Sequence, residues 1–470
     1  MSVNPILTTK AIEDSYKSYL LTTLKFADNT LQTQFKAKLD QKGKLVKGPI
    51  LEATPSFVKG CSILDLIDEG VLSNYFRTIL TDEILKRPLH AHQEKAIRKV
   101  VQDKRNIIVA TGTGSGKTET FIIPILNALF REHEQGTLEK GGVRALLLYP
   151  MNALANDQLN RLRDYLKNAP FITFGRYTGE TKQKHNEAFE NYQKMFKQDP
   201  LVNELISRED MWKKPPHILL TNYAMLEYLL LRPRDSIFFD GEFSGYWKFI
   251  VMDEVHTYSG AKGIETAMLL RRLKNRIGIN DKNPIQCIGT SATLGRGRED
   301  FPKVVNFAQE LFGEEFQWIE EDSKKQDVIE GERIPLVVNS KPWGKPSPEM
   351  YLVWQQLINN NMLSNEKKLL KLKETGIEAG IPAELINEAF CDSGRNIKRF
   401  LYKVLSMDER LLQLQEALQR TPCFLKALVE ELMGDDKNGG ESLAALVDLA
   451  VQAQPFENTE PLLPARYHVF

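Results

Sequence analysis

The stretch Asn106-Ile107-Ile108-Val109-Ala110-Thr111-Gly112-Thr113-Gly114-Ser115-Gly116-Lys117-Thr118 decides how the chain is read. Its first five residues form a short, mostly apolar run of the kind that makes a strand covered on both faces. Glycines then break the run, and an amphipathic segment from Lys117 to Phe130 follows as a predicted helix. Strand, glycine-rich turn and helix in that order converge backbone amides on an anion at the helix N-terminus. Lys117 adds a charge for terminal phosphates, and Thr118 adds a hydroxyl for a magnesium ion. A turn that binds nothing would leave Lys117 and Thr118 at these offsets unexplained. One position departs from the general G-x-x-x-x-G-K-[ST] spelling, because Thr111 stands where the first glycine would be.

Outward from this stretch, short β-branched or aliphatic runs alternate with amphipathic segments, the pattern of β-α units around a parallel sheet. The predicted strands are Asn106–Ala110, Arg144–Tyr149, Ile172–Tyr177, His217–Thr221, Phe249–Met252 and Pro284–Ile288. Helices are expected at Leu154–Leu166, Met225–Leu231, Ile264–Ile277 and Val304–Phe312. Charged, helix-leaning sequence from about 182 to 214 interrupts the alternation and reads as an insertion. The expected division is an N-terminal accessory arm (1–60), an α/β nucleotide-binding domain (61–320) and a mainly helical region (321–470).

The chain's 470 residues exceed one comfortable core, which calls for two or three domains. Lys plus Arg equals Asp plus Glu at 62 each, so no global basic field draws in a polyanion, and nucleic-acid contact must be local. The basic cluster Lys36, Lys38, Lys42, Lys44 and Lys47 reads as solvated surface. Cys61, Cys287, Cys391 and Cys423 form no C-x-x-C pair, which argues against a zinc ribbon or disulfide framework and for a reducing compartment. With no signal pattern and no apolar run near the ~20 residues that span a bilayer, a cytoplasmic protein without a membrane partner is expected.

A second element, Asp253-Glu254-Val255-His256, directly follows the apolar run Phe249–Met252. A strand end puts both carboxylates at the mouth of the sheet. There Asp253 can hold magnesium through water while Glu254 polarises the attacking water. An acidic pair in a loop is ordinarily solvated surface; the apolar strand before it and the phosphate loop upstream reverse that reading. Ser291-Ala292-Thr293 follows the next apolar run, one β-α unit later, and its hydroxyls are placed to bridge the acidic pair to a bound polymer.

In order and spacing these motifs resemble the DEAD/DEAH-box branch of superfamily 2 helicases over about residues 87–294. The resemblance implies a RecA-like phosphate-loop fold that uses ATP and Mg2+. It assigns nucleotide binding to Thr113, Gly114, Ser115, Gly116, Lys117 and Thr118, metal to Thr118 and Asp253, and catalysis to Lys117, Asp253 and Glu254. It also implies an adenine-reading glutamine at Gln93, with Phe76 or Arg87 as stacking candidates, and coupling through His256, Ser291 and Thr293. Backbone-tracking contacts fall on Asn152 in Tyr149-Pro150-Met151-Asn152-Ala153-Leu154, on Thr178 and Gly179 after Tyr177, and on Thr221 and Asn222 before Tyr223.

More narrowly, His256-Thr257-Tyr258-Ser259-Gly260, the helix carrying Arg271-Arg272, the arm Leu45–Gly60 and the ending Leu463–His468 resemble large bacterial DNA helicases. Those occur in repair and phage defence, Druantia-type and DISARM-type proteins among them. The family closes ATP between two lobes, the second supplying an arginine from a Q-x-x-G-R-x-G-R-like motif. Gly295-Arg296-Gly297-Arg298 imitates that spelling but sits too close behind Thr293 to belong to another sheet. The expected partner is therefore a second RecA-like lobe, in a longer chain or another subunit, and residues 1–470 alone are expected to bind ATP but hydrolyse it slowly. The leading reading is an ATP-dependent DNA helicase or translocase. An RNA helicase and a nucleotide-gated nucleic-acid-binding subunit that does no unwinding stay open beside it.

Overall fold

The computed structural model describes residues 4–41, 43–112, 114–278, 284–292, 297–336, 341–434, 438–457 and 459–469. They fall into two compact units, Phe57–Glu332 and Met1–Ser56 with Arg333–Phe470. Strands are numbered along the chain.

In the second of these units, β1 (Pro49–Ala53) lies between β12 (Cys423–Phe424) and β13 (Ala465–Val469), antiparallel to both. Leu51 faces Cys423 on one side and Tyr467 on the other, and it is fully buried. Helices including Pro348–Asn359, Ile397–Leu405, Glu409–Arg420 and Gly439–Gln452 enclose a core around Trp354, Phe400 and Leu446. Residues 1–60 were expected as an arm of their own. Instead β1 is the middle strand of this small sheet, where pairing on both sides satisfies backbone groups an isolated strand would expose.

The unit Phe57–Glu332 holds an antiparallel pair, β2 (Lys59–Ser62) and β3 (Pro88–His90), and an eight-stranded sheet. The sheet comprises β4 (Ile107–Ala110), β5 (Ala145–Tyr149), β6 (Phe174–Arg176), β7 (Glu204–Leu205), β8 (Ile218–Asn222), β9 (Phe249–Met252), β10 (Gln286–Ser291) and β11 (Val328–Glu330). Its order is β11-β4-β10-β9-β5-β8-β6-β7, every neighbouring pair parallel. Side chains alternate between the two faces: Ile107 and Val109 enter one apolar cluster while Ile108 enters the other. Cover on both faces is why these strands read as continuous apolar runs. This is the α/β, RecA-like architecture expected from the sequence.

All six predicted strands are present, with ends shifted by a few residues. Within the eight-stranded sheet the unanticipated ones are β7, only two residues long and inside the insertion, and β11, which carries the sheet beyond the expected boundary at 320. The insertion contributes the helices His185–Phe196 and Arg208–Lys213. In a parallel sheet all strands finish on one edge, so Thr111, Pro150, Asp253 and Ala292 follow strands that end side by side. Among the described residues no helix is long and apolar enough to cross a membrane.

Candidate active site

The phosphate loop leaves β4 at Ala110 and enters the helix Glu119–Glu134. Gly114 and Gly116 take φ of +77° and +72°, the left-handed region where a side chain is strained. At Gly116 a Cβ would also lie 2.3 Å from Gln93 Nε2, so a side chain there would displace that amide as well as strain the backbone. Thr111 has a role of its own, its hydroxyl 2.6 Å from that of Ser115 across the base of the loop. Two side chains of the helix Ala91–Val101 hold the loop from behind. His92 Nε2 donates to the Ser115 carbonyl at 2.9 Å, and burial drives its imidazole down to about 4, which keeps it neutral. Thr113 lies outside the described residues.

Gln93 is tied to the protein at both ends of its amide: Oε1 accepts the His90 N–H at 2.8 Å, and Nε2 donates to the Gly116 carbonyl at 3.0 Å. A base would meet this residue only by exchanging one of those bonds. Phe76, weighed as a stacking partner, is fully buried and packs edge-on against Phe130. Its apolar ring is core, which removes it from that role; Arg87 is exposed.

Asp253 and Glu254 leave the end of β9. Asp253 is nearly buried, and its Oδ1 accepts the Thr290 hydroxyl from the end of β10. Burial raises its carboxyl above the usual range, and the Glu254 charge adds to that, while Thr290 and Lys117 oppose it. Glu254 sits at φ 51°, ψ 52°, a left-handed conformation rare for a residue with a Cβ and worth about 1 kcal/mol or more of strain. Its carboxylate is caught between three groups: Lys117 Nζ at 3.1 Å on Oε1, the Ala292 N–H at 3.3 Å on Oε2, and His256 Nδ1 at 3.3 Å. His256 Nδ1 is also 2.9 Å from Ser291 Oγ. The phosphate-loop lysine, the acidic pair and the end of β10 are thus one bonded cluster, with Ser291 and His256 inside it. Thr293 lies outside the described residues.

Thr290 escaped the sequence reading although it touches Asp253 directly. A single Thr at the mouth-facing end of an otherwise apolar run was the available signal. The Thr118 hydroxyl and the Asp253 carboxylate are hard oxygen donors, the chemistry that would suit Mg2+. The glycine cradle at Gly116 and the Lys117 charge likewise fit a polyphosphate.

The expected strand-contacting residues divide into two kinds. Thr178 and Thr221 are fully buried, and the Thr221 hydroxyl donates to the Tyr177 carbonyl at 2.6 Å, so they shape the wall from inside. Asn152, Gly179 and Asn222 reach the surface. Asn222 Nδ2 donates to Asn152 Oδ1 at 2.9 Å, and Asn152 Nδ2 donates to Glu180 Oε1 at 3.1 Å, which joins three strand ends in one polar row.

Residues 90–301 match the family model described as DEAD/DEAH box helicase. The chain is 28% identical to Druantia protein DruE of Escherichia coli (strain UMEA 4076-1), an alignment covering 98% of this chain and 29% of that protein. It is 29% identical to the uncharacterized ATP-dependent helicase YprA of Bacillus subtilis (strain 168), over 45% of this chain and 24% of that one. It is 28% identical to the ATP-dependent helicase Lhr-Core of Sulfolobus acidocaldarius, over 50% and 24% respectively. The chain thus spans less than a third of the length of these relatives. Among solved structures, the DUF1998 helicase MrfA bound to DNA and AMPPNP is similar at 19% identity and a TM-score of 0.41, over 80% of this chain and 47% of that one.

Proposed function

We propose that this chain, whose residues 90–301 match the DEAD/DEAH box helicase family model, is a nucleotide-binding lobe of an ATP-dependent motor that moves along DNA. The observation that carries this is the Lys117–Glu254–His256–Ser291 cluster at the mouth of the parallel sheet. Lys117 binds the terminal phosphates. Doing so draws its ammonium away from Glu254 and leaves that carboxylate to orient water and accept its proton. Asp253, steadied by Thr290, and Thr118 are the groups that would hold Mg2+, which when bound neutralises charge on the phosphate oxygens. His256 links Glu254 to Ser291, a route by which the state of the nucleotide reaches the neighbouring strand ends.

Half-buried Asn152 and Asn222 offer short amides and Gly179 an exposed glycine, groups suited to phosphates and sugars and indifferent to sequence. The resemblance of the loop His256–Gly260 to large bacterial DNA helicases favours DNA over RNA. The likeness to DruE along 98% of the chain supports a place in phage defence. The test is ATP binding and turnover by the chain, alone and with matched single-stranded DNA or RNA. Saturable ATP binding, slow turnover raised by DNA more than by RNA, and loss of turnover in Glu254→Gln are expected. A chain that fails to bind ATP, or a Glu254→Gln variant with the parent's turnover, would contradict the reading; greater stimulation by RNA would move the substrate to RNA.

A further inference from the structure

The insertion, the helix Asn152–Leu166 and β6 line an open-mouthed cavity of about 380 Å³. Its floor is a fully paired ionic group. Arg163 donates to both oxygens of Glu204 at 2.9 and 2.7 Å, and the Tyr192 hydroxyl donates to Glu204 at 3.1 Å. The Arg163 guanidinium lies 5.0 Å from the Tyr192 ring centre and 4.5 Å from that of Phe196, within reach of cation–π attraction to both rings. Phe196 and Met195 on the insertion helix nevertheless stay 36% and 71% exposed, large apolar groups left at the side of a cavity.

The rim is polar and continuous with the row of candidate strand contacts. Arg176, from β6, bonds both Asn156 and Glu180. Glu180 in turn bonds Asn152, the residue that pairs with Asn222. Lys182 stands exposed at the rim with no ion pair among the described residues. An aromatic wall, amides at the opening and an uncommitted cation together match a nucleotide: a planar base to stack, edge groups to bond and a phosphate to neutralise. The volume falls within the roughly 300–1,000 Å³ of small-molecule sites.

We propose that this cavity receives one unstacked nucleobase of the single strand that runs past Asn152, Gly179 and Asn222. Phe196 is its stacking surface, and Lys182 sits at the adjoining phosphate. The inference rests on the reading of the chain as a strand-binding lobe and adds to it a fixed point where one base leaves the stack.

The test places 2-aminopurine at successive positions of a short single-stranded DNA, with a matched RNA series, and follows emission and affinity on the full chain. One or two adjacent positions should respond. Phe196→Ala should abolish that response and weaken binding roughly 5- to 100-fold, while Phe196→Trp should retain both and ATP affinity should stay unchanged. Lys182→Ala, a change at an exposed residue, should weaken binding and lower the salt slope by about 1. Uniform emission at every position, or parental behaviour of Phe196→Ala and Lys182→Ala with the strand still bound, overturns the base site and leaves the strand-binding reading intact. No binding of any oligonucleotide overturns both. Adenosine monophosphate binding as tightly as the strand, and losing that affinity in Phe196→Ala, would make this a mononucleotide site and equally overturn the proposal.

Discussion

The Lys117 ammonium donates to the Glu254 carboxylate, Nζ to Oε1 at 3.1 Å, with both side chains largely shielded from solvent. The group expected to hold phosphate and the group expected to activate water thus compete for each other, and an incoming polyphosphate must win the lysine from the glutamate. Glu254→Gln removes the competing charge but keeps an oxygen for the Ala292 N–H. ATP affinity should therefore be retained or rise by a few-fold, while turnover falls at least about 100-fold, the usual scale for losing a general base. Binding titrations beside single-turnover hydrolysis separate the two effects.

Thr290 donates its hydroxyl to Asp253, the residue proposed to hold Mg2+. Thr290→Val keeps the shape and deletes that bond, leaving a nearly buried carboxylate oxygen without its donor. The Mg2+ concentration that half-supports nucleotide binding should rise about 10- to 100-fold, the scale for losing a partner of a metal ligand. An unchanged Mg2+ dependence would show that Thr290 is packing alone.

Gly116→Ala introduces a Cβ at a positive φ and 2.3 Å from Gln93 Nε2. Either the loop or Gln93 must move, and the Gln93 bond to the Gly116 carbonyl breaks. ATP affinity should drop more than about tenfold, against a stability cost on the order of 1 kcal/mol. Thermal melting beside the binding titration distinguishes a damaged loop from a damaged fold.

In the other unit, Asp408 caps the helix Glu409–Arg420, accepting the N–H groups of Arg410 and Leu411 at 2.9 and 3.2 Å and the Tyr351 hydroxyl at 2.8 Å. Burial pushes its carboxyl up to about 6 despite those donors. A folded value above the unfolded one of about 3.9 means the native state binds the extra proton. The contribution is therefore complete below about pH 4 and is lost as pH rises through about 6. Asp408→Asn keeps a capping oxygen and does not titrate. The stability of the parent relative to this variant should fall by an amount on the order of 1–3 kcal/mol between pH 4.5 and 7.5. Melting curves of both proteins across that range check it; a difference independent of pH would mean Asp408 does not titrate as inferred.

Much of the α/β unit was legible because burial on both faces writes strands as apolar runs and because the phosphate loop needs particular residues at particular offsets. The acidic pair was legible for the same reason, since a strand end places Asp253 and Glu254 without help from distant sequence. What stayed hidden depends on contacts far apart in the chain. The partnership of Pro49–Ala53 with Ala465–Val469 joins segments more than 400 positions apart, and no local pattern announces it. Thr178 and Thr221 read as surface contacts because strand ends carry polar residues either way, yet both hydroxyls are sealed inside. The Gln93 bond to Gly116 and the Thr290 bond to Asp253 follow from tertiary placement, beyond what spacing encodes.

The most direct measurement is Mg2+-dependent binding of ATP to the parent chain and to Lys117→Ala, by titration of a fluorescent ATP analogue with unlabelled ATP as competitor. The expected result is saturable, Mg2+-dependent binding by the parent and an affinity loss of more than about 30-fold in Lys117→Ala, the scale for removing one partner of a shielded charge pair. Parental affinity in Lys117→Ala, in a variant that melts like the parent, would contradict the assignment of this loop as the phosphate site.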